Sequence, residues 1–130
     1  MVATYSFENV IAWQKAHVFV LEVYKITRHF PEDEKFGLTS QFRRAAISIE
    51  ANIAEGYKKL SKADKLRFFN IAQGSLEECR DYHILSRDLQ YINNNEFESL
   101  HIKIEETSKL LNSYCKSIVD NKAITDDIVL

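Results

Sequence analysis

The side chains that could perform catalysis or hold a metal are four histidines, two cysteines and three carboxylates beside apolar residues: His17, His29, His83 and His101, Cys79 and Cys115, and Glu55, Glu77 and Glu78. A di-metal centre in a helical bundle needs glutamates on two helices and a Glu-x-x-His pair on each of two others. Two such pairs are not present, and HExxH, P-loop and GxSxG motifs are absent from the sequence. We therefore predict no catalytic residue, no metal and no cofactor, and histidines that serve as surface or packing residues.

Cys79 and Cys115 lack a CxxC spacing and a histidine partner motif. Both fall at core-facing positions of predicted helices. We interpret them as small buried hydrophobic residues rather than as a disulfide or a metal pair.

The stretch "SQFRRAAISIEANIAEGYKKL", residues 40–60, reads as one helix that carries Arg43 and several other polar residues among small and apolar ones. Steps of 100° per residue place an apolar face beside a polar strip of Gln41, Arg44, Ser48, Asn52 and Glu55. We interpret this strip as a structural network that orients helices, with Glu77 or Glu78 as the partner of Arg44. The less favoured alternative is a ligand or RNA surface. Arg44→Ala is then expected to destabilise folding or assembly.

The segment "KKLSKADKLR", residues 58–67, is a local basic patch on a chain whose net charge is −2. Its five cations are Lys58, Lys59, Lys62, Lys65 and Arg67, and its one acid is Asp64. The simpler interpretation is a solvated start of a helix. The functional interpretation is phosphate binding, with Tyr57 and Phe68 near enough to stack on bases.

Low counts of Gly (3) and Pro (1) in 130 residues favour few, long elements, so we predict an all-α protein. The predicted helices span about 8–29, 38–57, 62–89 and 95–119, with a loose tail at 121–130. Short connections between four long helices predict an up-down-up-down antiparallel four-helix bundle that forms one domain over 1–130.

Apolar periodicity assigns a core face to each helix. In the first helix we expect Val10, Val18 and Leu21 to face the core. Further apolar residues extend around this helix, and we predict an intersubunit face at Trp13, Val20 and Tyr24. We expect Gly56 to end the second helix and Gly74 to allow close approach of a neighbouring helix.

The stretches "QFRRAAISIEANIAEG" and "FFNIAQGSLEE", preceded by "AWQKAHVFVLEVYKITRHFPEDEKFGL", resemble the bacterial four-helix-bundle proteins encoded by intervening sequences of large-subunit ribosomal RNA genes. The resemblance covers residues 7–118. It implies a homo-oligomeric ring of five copies and a similarity to the accessory variability determinants of diversity-generating retroelements, pentamers that bind nucleic acid and a reverse transcriptase. Glu50 departs from the pattern, since family members often have proline there, and the second helix should be straighter as a result.

These observations together predict a non-enzymatic homo-oligomer that associates with RNA or DNA through the basic patch, with a nucleic-acid enzyme as a further possible partner. The alternative is a protein-interaction scaffold that binds no nucleic acid. The sequence contains no basic leader followed by an apolar run and no long uncharged apolar stretch. We therefore expect a cytoplasmic protein without a membrane partner.

Overall fold

The computed structural model describes residues 6–120, which form four long helices and two single 3-10 turns. The helices are α1 (Ile11–Thr27), α2 (Leu38–Lys58), α3 (Lys62–Asp88) and α4 (Asn94–Val119), and no strand occurs within these residues. The predicted all-α fold with four helices is confirmed. The first helix begins later than predicted because Phe7–Asn9 form a 3-10 turn, and the predicted tail lies outside the described residues.

The four helices pack around one core, and each neighbouring pair runs antiparallel. Along the seam between α1 and α2, Arg43 lies over Tyr24 near one end, while Glu50 accepts a hydrogen bond from His17 further along. Residue numbers therefore rise along one helix while those of the contacting residues fall along the other, as expected for an antiparallel pair. The seams between α2 and α3 and between α3 and α4 show the same order, and α4 packs back on α1.

Short-range side-chain bonds cap three of the described helical segments at their N-terminal ends. Ser6 accepts from the Glu8 N–H and begins the 3-10 turn that leads into α1. Ser61 accepts from the Asp64 N–H at the start of α3, and Asn93 forms a reciprocal capping box with Glu96 at the start of α4. Each bond satisfies an N–H that has no partner inside its helix, which explains why these chain positions start helices.

The core corrects the predicted face of α1. Phe42 and Ile49 of α2 are buried. On α4 the buried residues repeat at alternating steps of three and four and form a heptad pattern: Leu100, Ile104, Thr107, Leu111, Tyr114 and Ile118. On α1, however, Val18 and Leu21 are exposed, so their predicted core positions are wrong. Buried α1 residues follow a different helical face: Ala12, Ala16, Phe19, Val20, Val23, Ile26 and Thr27. Because α1 is apolar around most of its circumference, periodicity could not select the buried side.

The glycine of close approach is Gly56 and not Gly74. A Cβ atom built on Gly74 has no atom within 4 Å, so the predicted close approach there is wrong. A Cβ on Gly56 would lie 2.5 Å from Cε1 of Phe69, at the crossing of α2 and α3. Gly56 also does not end its helix, because α2 continues to Lys58. The helix is unbroken across Glu50 as well.

His83 is an ionisable side chain inside the α3–α4 seam. It is 2% exposed, its ring stacks on Phe97 with centroids 4.0 Å apart, and its Nε2–H donates to the Phe97 carbonyl at 2.9 Å. Burial lowers the pKa of His83 from 6.5 to about 4, although the bond to the carbonyl opposes this shift. The native protein therefore holds His83 neutral, as a packing residue.

The free energy of unfolding is expected to fall as the pH is lowered from 6.5 towards 4. In this window the unfolded chain takes up a proton at His83 that the native chain excludes, so the slope from this group reaches up to about 1.4 kcal/mol per pH unit. The stabilisation that neutral His83 contributes is fully present above pH 6.5 and is lost progressively as the pH falls towards 4. We expect urea denaturation of His83→Gln, which keeps an N–H donor, to show a flatter dependence of the unfolding free energy on pH. His29→Gln, at an exposed site, should keep the pH dependence of the unsubstituted protein.

Candidate functional site

Part of the polar strip of α2 contacts residues of α3. The hydroxyl groups of Ser48 on α2 and Ser75 on α3 are 2.7 Å apart. Asn52 donates to the carbonyl and the hydroxyl oxygen of Ser48 at 2.8 and 3.0 Å, so it supports this bond from within α2. Arg44 approaches Glu78 at 3.5 Å. These contacts give the middle of the α2–α3 seam one half-buried hydroxyl pair and one exposed ion pair.

The other two predicted members of this network lie apart from it. Glu55 is exposed and pairs with Lys59 on its own helix, 3.8 Å away. Glu77 accepts from Arg80, whose guanidinium also bonds Glu105 of α4. Because of these bonds the pKa of Arg80 is raised, chiefly by the hydrogen bond to Glu105. Glu77 thus belongs to the seam between α3 and α4.

Arg43 is a structural residue that the periodicity argument did not select. Its Nε donates to the Thr27 hydroxyl at 2.8 Å and its Nη2 donates to the Tyr24 carbonyl at 3.4 Å, so it bonds the end of α1. The guanidinium carbon also lies 4.5 Å from the Tyr24 ring centroid. Since adjacent residues differ by 100° around a helix, Arg43 faces α1 while Arg44 faces α3. The sequence signal for this role was the pair of consecutive arginines, because adjacent residues of a helix face different neighbours.

Arg43→Ala is expected to lower the free energy of unfolding by about 1.5–3 kcal/mol, because charged donors would leave half-buried acceptors. Arg44→Ala is the matched comparison. Its pair with Glu78 is long and exposed, so we now expect a change within about 0.5 kcal/mol rather than the larger loss predicted from sequence. Denaturant unfolding of both variants measures the difference. An equal loss at the two positions would contradict the assignment of Arg43 to the α1–α2 seam.

Two of the five cations of the basic patch are engaged in capping helix ends. Lys65 is 9% exposed, and its Nζ donates to the Tyr57 carbonyl in the last turn of α2 at 2.7 Å. Lys62 donates to the Val119 carbonyl at the end of α4 at 3.1 Å. Lysine favours such positions because terminal carbonyls lack helical partners and carry partial negative charge. Both side chains therefore have a structural role, because each bonds a carbonyl at the end of a neighbouring helix.

The other three cations surround Phe68 or face solvent. Lys59 Nζ and Arg67 Cζ lie 4.9 and 4.5 Å from the centroid of the half-buried Phe68 ring. Each also has an acidic neighbour at 3.8 Å, Glu55 for Lys59 and Asp64 for Arg67. Lys58 is exposed, and no carboxylate of the described residues lies within ion-pair distance of it. We name Lys58, Lys59, Arg67 and Phe68 the basic end.

The two cysteines are both free thiols, and among the described histidines the ring contact is that of His83 with His101, whose centroids lie 6.4 Å apart. Cys79 is fully buried, Cys115 is half-buried, and burial raises the pKa of the Cys115 thiol to about 11. His17 bonds Glu50, whereas His29 and His101 are exposed. One Glu-x-x-His spacing does exist on α4, from Glu98 to His101, and both residues are exposed. Within residues 6–120 there is no group of three or more such side chains that could hold a metal ion.

The residues predicted for an intersubunit face are largely covered by their own chain. Val20 is 6% exposed, which leaves too little surface for a contact between copies. Trp13 is half-buried between Phe7 and His17, and Tyr24 lies beneath Arg43. The exposed apolar residues of α1 are instead Ile11, Val18 and Leu21. Their spacing of seven and three residues places them on one outer stripe of the helix.

Comparison with known proteins identifies the family. The family model described as 23S rRNA-intervening sequence protein matches residues 8–113. The chain belongs to this family. A crystal structure of a protein of unknown function from the S23 ribosomal protein family of Bacteroides thetaiotaomicron is similar, with a TM-score of 0.76 and 28% sequence identity. The match covers 83% of this chain and 97% of the other. A comparison with curated proteins finds no match.

The membership confirms the resemblance inferred from the motifs of α1, α2 and α3. Neither the family description nor the description of the crystal structure states an enzymatic activity. None of the described helices is long and apolar enough to cross a membrane.

Proposed function

We propose that this member of the family is a non-enzymatic, homo-oligomeric helical bundle that associates with RNA or DNA through the basic end. The observation that carries the proposal is the arrangement of Lys59 and Arg67 around the Phe68 ring, with Lys58 exposed beside them. Proteins that bind single strands without sequence preference combine cations for the phosphates with aromatic rings on which bases stack. Phe68 and its neighbours supply both in one place.

The basic end of one chain is a weak binding surface, and self-association supplies the remaining affinity. Three lysine or arginine side chains make few phosphate contacts, and two of them have acidic neighbours. A ring of five copies would present about fifteen such cations on one assembly, and several contacts on one strand multiply weak affinities. The exposed stripe of Ile11, Val18 and Leu21 on α1 supports self-association, because burial of apolar side chains between copies removes them from water.

The alternative is a scaffold that binds other proteins and no nucleic acid. The ion pairs of Lys59 and Arg67 favour it, because neutralised cations attract phosphate less strongly. The exposed stripe of α1 fits this function as well, as a surface for a protein partner such as a nucleic-acid enzyme. For either function we propose a cytoplasmic location.

A salt-titrated binding assay on the purified protein separates the two functions, with light scattering to give the oligomer size. We expect anisotropy of labelled single-stranded RNA and DNA to report binding at about 50 mM salt, with affinity that falls steeply by about 200 mM. Loss of assembly in Val18→Glu/Leu21→Glu should weaken binding in parallel. A stable oligomer that leaves all probes unbound at low salt would favour the scaffold.

A further inference from the structure

A second positively charged site lies on α2, far from the basic end. An open groove of about 490 Å³ runs beside the first turns of α2, and its lining includes Lys35, Arg43, Arg44 and the aromatic rings of Tyr24 and Phe36. None of its lining residues is an aspartate or glutamate. Arg43 precedes Lys58 by fifteen helical residues, or about 22 Å along the axis. One ligand of small size could not touch both sites.

The cations of this groove retain donors for a ligand. Arg43 uses two of its five N–H groups on the neutral acceptors Thr27 and Tyr24, and no carboxylate of the described residues is paired with it. Lys35 is exposed. Arg44 donates from Nε and Nη2 to Gln41 Oε1 and shares a long contact with Glu78, and these bonds do not use its Nη1 donors. The positive charge comes from these side chains rather than from the helix end, because the Glu34 carboxylate already accepts from the Leu38 N–H.

Phe36 gives the groove an aromatic surface that this chain leaves open. Its side chain is 87% exposed, although phenylalanine normally packs in a core. The Nζ of Lys35 lies 5.6 Å from the ring centroid, so a cation stands next to the exposed ring. A ligand that stacks on Phe36 would therefore place its own negative charge close to Lys35 and the two arginines.

We infer that this groove binds a nucleotide unit, with the phosphate on Arg43, Arg44 and Lys35 and the base stacked on Phe36. A phosphate monoester carries up to two negative charges and matches several cations, and guanidinium groups donate paired bonds to phosphate oxygens. The groove volume falls within the usual range of about 300–1,000 Å³ for ligand sites. The inference does not depend on the proposed function, since either a free nucleotide or the phosphorylated end of a strand supplies this chemistry.

Isothermal titration with adenosine 5′-monophosphate, adenosine and inorganic phosphate tests the site on the full chain. We expect the monophosphate to bind at least about tenfold more tightly than either part, because both halves of the groove contribute. Phe36→Ala and the double variant Lys35→Gln/Arg44→Gln should each weaken its binding by about tenfold or more. Ile102→Ala and Lys109→Gln, which change an exposed apolar and an exposed basic residue of α4, are the matched controls and should bind normally.

Two further arms identify the source of the ligand and separate this site from the basic end. A 5′-phosphorylated oligonucleotide that binds more tightly than its unphosphorylated form, and through Phe36, would assign the ligand to a strand end; otherwise it is a free nucleotide. Lys58→Glu/Lys59→Glu/Arg67→Glu should leave monophosphate binding unchanged. The inference is overturned if the monophosphate does not bind, if the controls lose binding equally, or if Phe36→Ala alters only the oligomer size. Unchanged thermal unfolding verifies that the variants fold.

Discussion

Gly56→Ala is expected to lower the free energy of unfolding by about 2 kcal/mol. The new Cβ would lie 2.5 Å from Cε1 and 2.9 Å from Cδ1 of Phe69, far inside contact distance. Phe69 is fully buried and packs on the Tyr114 ring with centroids 4.8 Å apart, so the ring has no space into which to move. Overpacking of a core costs up to about 3 kcal/mol, and the higher helix propensity of alanine offsets about 1 kcal/mol of this.

Gly74→Ala is the internal control, because it makes the same chemical change on the neighbouring helix. Nothing lies within 4 Å of the added Cβ, so only the gain in helix propensity remains, and stability should rise by about 1 kcal/mol. Urea denaturation at one protein concentration measures both variants, since any self-association adds to apparent stability. Shifts of the same sign would refute the proposed close approach of α2 and α3 at Gly56.

The triple variant Lys58→Glu/Lys59→Glu/Arg67→Glu is expected to reduce nucleic-acid affinity by at least about 100-fold at low salt. Three phosphate contacts per chain would be lost, so the slope of log affinity against log salt should also fall by about two to three. Lys62 and Lys65 are left unchanged because they bond carbonyls at the ends of α4 and α2. A loss of binding on their mutation could reflect damage to the fold.

The matched control reverses the same number and types of charge elsewhere on the protein. Lys25, Arg28 and Lys109 are exposed, and no ion pair joins any of them to another of residues 6–120. Lys25→Glu/Arg28→Glu/Lys109→Glu therefore produces the same net charge without touching the basic end. Equal weakening by the two triple variants would mean that net charge governs binding, and the basic end would lose its assigned role. Circular dichroism and light scattering should confirm an intact fold and assembly in both.

The sequence was sufficient wherever the deciding interactions are local. Ser61 and Asn93 cap helices through backbone groups within three residues, and such contacts are visible as short motifs. The α4 heptad from Leu100 to Ile118 carries apolar residues on one narrow stripe, so its buried face could be predicted from spacing alone. Family membership was also recoverable from the sequence, because its motifs in α2 and α3 are contiguous.

Only the tertiary structure decided which side of a helix meets which neighbour. The core face of α1 could not be selected from a helix that is apolar on most sides, and Val18 and Leu21 are consequently exposed while Val20 is buried. Lys65 fits a solvated helix start in the sequence, but in the folded chain it donates to the Tyr57 carbonyl at the end of α2. Gly56 and Gly74 are both helical glycines, and the difference between them is the Phe69 ring of another helix. The physical reason is common to all three: helix periodicity specifies angles about one axis, whereas burial depends on the relative positions of several axes.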